Sequence, residues 1–280
     1  MKQKHTLRLA FSAKPIRQPI TKMGGQPVWL EAPQWPISPY FQEPMLFLGQ
    51  VALDPALFGG APGRLAYIFI TDPDAIGTLT LRESRNAGFW AEPFDGENAV
   101  IIQPGGRFLK DDLRVLPLAT GPGLSRQRRG KRGRGVPERV ELRAHLIASE
   151  DPDYTAPEDT TDEQLAENKV GGTPALQADL DYPMLADWPL LVQLNLGNLP
   201  FDLGLEPFWV LHGLLSPDGT TGAITVQDPY ANSFPPLPEP AEAEAAENTT
   251  HPASEPETWA VEEADDDDEA AAKPTRTARE

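Results

Sequence analysis

Two short stretches of this chain carry residues able to hold an anion: Lys22-Met-Gly-Gly-Gln-Pro27 and, 147 residues later, Lys169-Val-Gly-Gly-Thr-Pro174. Paired glycines let backbone come close to a ligand and turn amides toward negative charge, and a nearby lysine adds an ammonium. Lys22, Gly24 and Gly25, with Lys169, Gly171 and Gly172, would form a binding site if both loops faced one cleft. The same residues also suit a strained loop entry that starts each half of a fold. Repetition favours that second reading, because duplication multiplies scaffold more readily than catalysis.

Other groups point to chemistry more weakly. Gln50 and Gln193 sit inside apolar runs, where an amide needs partners, supplied by a ligand or by the backbone of the adjacent Gly-Gly loop. Trp29, Trp35, Tyr40 and Phe41 lie in a proline-rich stretch and are either exposed anchors for a partner or a cover over a sheet end. Arg126, Arg128, Arg129, Lys131, Arg132 and Arg134 form a glycine-interleaved tract suited to phosphate backbones, although no aromatic is interleaved for base stacking. A phosphate loop is excluded there, because Arg132 stands where Ser or Thr is required and Ser125 where the first glycine belongs. His5, His145, His212 and His251 lack metal-site spacing, and no cysteine is present, so no metal site or cofactor is expected. Asp72 and Asp74 could meet Asp218 if their turns converge, though Pro-Asp pairs are ordinary turn chemistry. No catalytic residue is assigned.

The elements that must position these groups come in two sets. Behind each Gly-Gly element follows an apolar run with an internal glutamine, then a second run closed by a turn. Gln50 to Asp74 spans 24 residues and Gln193 to Asp218 spans 25. Three landmarks in the same order point to an internal duplication. Thirty-one prolines disfavour long helices, so strands and irregular loops are expected. Strands are predicted at residues 45–53, 64–70, 77–83, 98–103, 140–147, 190–196, 208–215 and 222–227, with a capped helical turn over 161–167. The predicted fold is α+β and β-rich, two half-domains sharing one core.

These landmarks resemble the YwqG-like family of bacterial proteins (DUF1963), through Lys-x-Gly-Gly-x-Pro, the Pro-x-Leu-x-x-x-Gln strand, and the stretch from Trp188 through Gln193 to Ser216-Pro-Asp-Gly219. The resemblance covers roughly residues 20 to 230. Family members often carry a cysteine pair after the Gly-Gly-Pro element. Here Gln34 to Glu43 has none, so any metal role of that pair is missing. The resemblance implies a fold and no settled activity. The company such genes keep resembles toxin and immunity loci, which implies an immunity-type or adaptor role.

Composition bounds the rest. Residues 1–238 are expected to form the duplicated domain: half one about 20–120, a basic insertion at 121–136, an acidic connector at 150–167 and half two about 168–236. Residues 239–280 hold 14 acidic and three basic side chains and are expected to be a disordered tail carrying much of the net charge of −18. The connector holds eight carboxylates and no Lys or Arg, and with the basic tract is expected to be mobile. No window is apolar enough to span a membrane, and no signal-peptide core is present, so the expected location is the cytoplasm. The leading expectation is a non-catalytic binding protein with a protein partner that the acidic tail steers electrostatically. The alternatives are a nucleic-acid-associated protein using residues 126–134 with the tail as autoinhibitor, and an enzyme with a cleft between the halves.

Overall fold

Strands buried on both faces read as unbroken apolar runs, and three such runs build the first half. They are β4 (Leu46–Leu53), β5 (Arg64–Ile70) and β6 (Asn98–Gln103). Alternate residues point to opposite faces. Ala66, Ile68, Ile70, Val100 and Ile102 therefore enter the main core, while Leu65, Tyr67, Phe69, Ala99 and Ile101 enter a second, aromatic one with Trp35. The second half supplies β12 (Leu190–Asn195), β13 (Val210–Leu215) and β14 (Gly222–Gln227). Val192, Leu211 and Ile224 join Leu48 and Ile68 in the same main core, which both halves thus share.

This computed structural model describes residues 3–72, 92–94, 96–129, 135–151, 159–176 and 183–227. All belong to one compact unit, Met1–Ser233. The predicted strand at 77–83, Asp74, Lys131, Arg132, Arg134 and the tail 239–280 lie outside the described residues. Of Arg128 and Arg129 only the backbone is described.

Two long strands that the sequence reading left outside both halves form the centre of the sheet: β1 (Gln3–Phe11) and β10 (Glu141–Glu150), antiparallel along their whole length. Two three-residue strands flank them, β2 (Lys22–Gly24) and β11 (Lys169–Gly171). The pairing is crossed. β1 pairs with β11 of the later half, and β10 pairs with β2 of the earlier half. The ten-stranded order is β14-β13-β12-β11-β1-β10-β2-β4-β5-β6, which reads equivalently from either edge. The sheet curls until its outer strands nearly meet. A Cβ on Gly222 would lie 2.3 Å from Val100, and the Arg107 N–H donates to the Thr220 carbonyl at 2.8 Å.

The remaining elements are small. β3 (Trp35–Pro36) pairs with β7 (Val115–Leu116), and β8 (Ser125–Arg129) pairs with β9 (Gly135–Arg139). The flanks of the basic tract are thus a β-ribbon, where a mobile loop was expected. Helix is confined, among the described residues, to α1 (Pro55–Phe58), α2 (Asp162–Leu165) and single 3-10 turns. The architecture is accordingly β-rich with little of the helix that an α+β class implies. The connector is ordered where it is described: Thr161 and Gln164 form a capping box on α2.

Candidate functional site

The Lys-x-Gly-Gly loops hold anions, and the anions are the protein's own. Gly24 and Gly25 have φ of 66° and 71°, and Gly171 and Gly172 have 72° and 82°, a region open mainly to glycine. Because Gly25 lacks a Cβ, the Glu141 carboxyl can occupy the space where that atom would be, 2.4 Å from it. Glu141 Oε1 then accepts from Lys22 Nζ at 2.6 Å and from the Ile16 N–H at 3.0 Å, while Lys22 Nζ also donates to the Ile16 carbonyl. Burial lowers the Lys22 pKa, against the opposing pull of Glu141.

The second loop repeats this with one change of sign. Lys4 faces Gly171 in β1 as Glu141 faces Gly24 in β10, so a cation stands where the first half has an anion. Two carboxylates compensate. Lys4 Nζ donates to Glu167 at 2.6 Å and lies 3.9 Å from Asp151, and Lys169 lies 4.0 Å from Asp151 and 3.9 Å from Glu167. Asp151 also accepts the Thr173 N–H at 2.6 Å, within the space that Gly172 leaves open. Burial pulls Lys169 down to about 8, with Asp151 and Glu167 opposing and Lys4 adding to the effect. Asp151 and Glu167 thus fix the ends of the connector that the sequence reading left mobile.

The glutamines are equivalent clamps. Gln50 Oε1 accepts from the Val28 N–H at 2.9 Å and its amide donates to the Ile20 carbonyl at 2.9 Å. Gln193 Oε1 accepts from the Ala175 N–H at 2.8 Å and its amide donates to the carbonyls of Gln164 and Glu167. Lys22 lies opposite Gln50 and Lys169 opposite Gln193 in the ladder. Beside them, Tyr67 opposes Gln50 and His212 opposes Gln193. His212 is fully buried; its Nε2 lies 2.9 Å from the Ala175 carbonyl, and Nδ1 finds no described partner. Burial holds it down to about 4, so the ring is neutral and Nε2 carries the proton donated to that carbonyl. The two lysines do not share a cleft: β10 and β1 stand between their strands, about 14 Å by ordinary strand spacing.

No protein-family model and no curated protein matches this chain.

Two of the candidate tryptophans and Arg126, the one basic-tract residue whose side chain is described, are engaged internally. Trp35 is wholly buried and its indole N–H donates to the Met45 carbonyl, while Trp29 packs against Tyr67 and Phe69 and donates to Ala119. Neither is an exposed anchor. Tyr40 alone of that group is largely open, at 60%. Arg126 pairs with Glu138 at 3.0 Å and stacks 4.6 Å over Phe11. The described residues hold no group of three or more metal-ligating side chains, and no described helix is long and apolar enough to cross a membrane.

What the sequence reading missed is a groove of about 810 Å³ at the seam of the curled sheet. Its walls are the loop after β6, with Arg107, Phe108 and Lys110, and the β13–β14 turn, Ser216-Pro-Asp-Gly219. Its floor is Trp188 and Leu109, packed on a small buried cluster around Leu190 and Leu214. Arg107 ties the walls together, reaching Asp218 at 2.8 Å and the Thr220 hydroxyl at 3.0 Å, and Arg64 donates to the Gly219 carbonyl. Ser216 and Thr220, donating to Asp218, together with Arg107, hold its carboxyl well below the usual carboxylate range. The only sequence signals were Trp188 and the turn itself, because Arg107 lies 111 residues from its partner Asp218.

Proposed function

We propose that this chain is a YwqG-like, non-catalytic binding protein, built of two halves that arose by internal duplication, which engages a protein partner at the seam groove. One observation supports the reading most: the groove combines an apolar aromatic floor with a charged, internally braced rim. That is the anatomy of a protein interface, where a buried aromatic anchor is ringed by polar contacts. A partner side chain of apolar or aromatic type would sit on Trp188, with the partner's charges meeting Arg107 and Asp218 at the rim. The Lys-x-Gly-Gly loops serve in this reading as scaffold, since internal carboxylates already fill them. An immunity-type or adaptor role, implied by the family resemblance, is the narrower form of the proposal, and a basic partner would suit the chain's acidic balance.

The test is a quantitative pull-down with full-length wild type, Trp188→Ala and Arg107→Glu. One stoichiometric protein lost with both variants, at unchanged circular dichroism, supports the groove. Retention of the same protein by both variants overturns it.

A further inference from the structure

Sheet interiors hide their backbone polar groups by pairing, and exposed edges are normally guarded by charge, proline or a bulge. β10 departs from this. On its β2 side it is paired only through Glu141, Leu142 and Arg143. Among the described residues nothing pairs with Ala144–Glu150 on that side. The Ser12 N–H donates to the Glu141 carbonyl, which assigns the odd-numbered amides and carbonyls of β10 to β1. Those of Ala144, Leu146, Ala148 and Glu150 therefore point to the open edge.

No formally charged residue stands between Arg143 and Glu150, and no proline or glycine interrupts the stretch. Leu146 and Ile147 are 38% and 43% exposed, two of the few large apolar side chains left open in the described residues. The corresponding edge of β1 is different, because Phe11 at its end lies under the Arg126 guanidinium.

We propose that the open edge of β10 pairs with the same edge of a second copy of this chain, antiparallel, about a two-fold axis at Ile147. The stretch is its own complement. Identical strands can pair only in a register that matches residues of equal parity, and the free length 144–150 is centred on residue 147. Leu146 then faces Ala148 of the copy, His145 faces Ser149, and Glu150 faces Ala144, so no like charges are opposed. Ile147 meets Ile147 as a non-hydrogen-bonded pair, where side chains come closest. Lengthening or shifting the register would drive the copy into β2. Both chains are acidic overall, but that repulsion is long-range and screened beyond about 8 Å at physiological ionic strength. Dimerisation should accordingly strengthen with added salt, whereas a charge-steered partner would be weakened.

The absence of cysteine makes a direct test available. In a non-hydrogen-bonded antiparallel pair the Cα atoms are about 4.5 Å apart, within reach of a disulfide. Full-length Ile147→Cys should cross-link to a dimer under mild oxidation on a non-reducing gel. Met184→Cys, 64% exposed elsewhere, should not. Ala148→Pro removes an outward amide while leaving the bonds to β1, and should turn a dimer into a monomer by light scattering with circular dichroism unchanged. Three results would each overturn the proposal: a wild-type monomer at about 100 µM, cross-linking of Met184→Cys as fast as Ile147→Cys, or a dimer that survives Ala148→Pro. A monomer whose edge instead takes up a strand from another protein also overturns it, and assigns the edge to that partner.

Discussion

Replacing the two clamp glutamines by methionine tests whether they hold the loops in place. Methionine keeps the length and much of the volume of glutamine, so cavity terms stay small and the loss reports hydrogen bonding. Gln50→Met strands two partly buried backbone groups, the Val28 N–H and the Ile20 carbonyl, so its loss should fall toward the lower end of the range for such groups. Gln193→Met strands three, the Ala175 N–H and the carbonyls of Gln164 and Glu167. A buried polar group left without a partner costs about 1–3 kcal/mol, which gives about 2–6 kcal/mol for the first variant and 3–9 for the second. A domain is stable by only about 5–15 kcal/mol, so Gln193→Met approaches the limit of folding. Urea unfolding followed by tryptophan fluorescence resolves this. With a slope of about 2 kcal/mol/M, Gln50→Met should lower the midpoint by about 1–3 M and Gln193→Met by more. If both variants stay within 1 kcal/mol of wild type, or Gln50→Met is the costlier one, the clamp argument fails.

Three further outcomes follow from the same contacts. His212 takes up its proton only near pH 4 when folded and near 6.5 when unfolded, so stability should fall as pH drops through that window, by up to about 1.4 kcal/mol per unit. His212→Gln can still donate to the Ala175 carbonyl and should show a shallower slope in urea titrations at pH 7, 6 and 5; equal slopes would count against a buried neutral ring. Gly24→Ala puts a Cβ 2.2 Å from the Val140 carbonyl at φ 66°, whereas Gly59→Ala at φ 67° meets nothing within 4 Å. Calorimetry should therefore show about 1–3 kcal/mol for Gly59→Ala, whose ψ of −167° lies in a region open essentially to glycine, and a larger loss for Gly24→Ala, which adds the clash. Glu141→Gln weakens the hold on a buried ammonium and should cost about 3–5 kcal/mol. Glu138→Gln breaks the exposed pair with Arg126 and should cost under about 1 kcal/mol, and comparable losses would contradict the burial argument.

How much could be read beforehand depended on burial. β5, β6 and β14 have the predicted bounds, because each is apolar without a break and ends at a turn. The internal partners of Gln50 and Gln193 were also legible, since an amide in an apolar strand has few alternatives. β1 was not legible. Gln3–Phe11 alternates too weakly to announce a strand, because much of it is only partly covered. β2 and β11 are too short to show a period, and their glycines mark the turn without revealing which carboxylate fills it. Asp151 and Glu167 looked like solvated charge because their counter-ion Lys4 is about 150 residues away. The groove was hidden for the same reason, its two walls being joined by an Arg107–Asp218 pair.

The crossed pairing of the central strands has a consequence during synthesis. β1 leaves the ribosome well before its partners, β10 and β11. At roughly 5–20 residues per second, about 140 further residues take some 7–28 s to appear. For that interval Gln3–Phe11 has no native partner on either side, while β4, β5 and β6 can already pair with one another. The nascent chain can thus complete one outer set of strands, β4 to β6, before its centre, while the other set, β12 to β14, follows last, and a chaperone binding an extended segment would meet β1 unpaired.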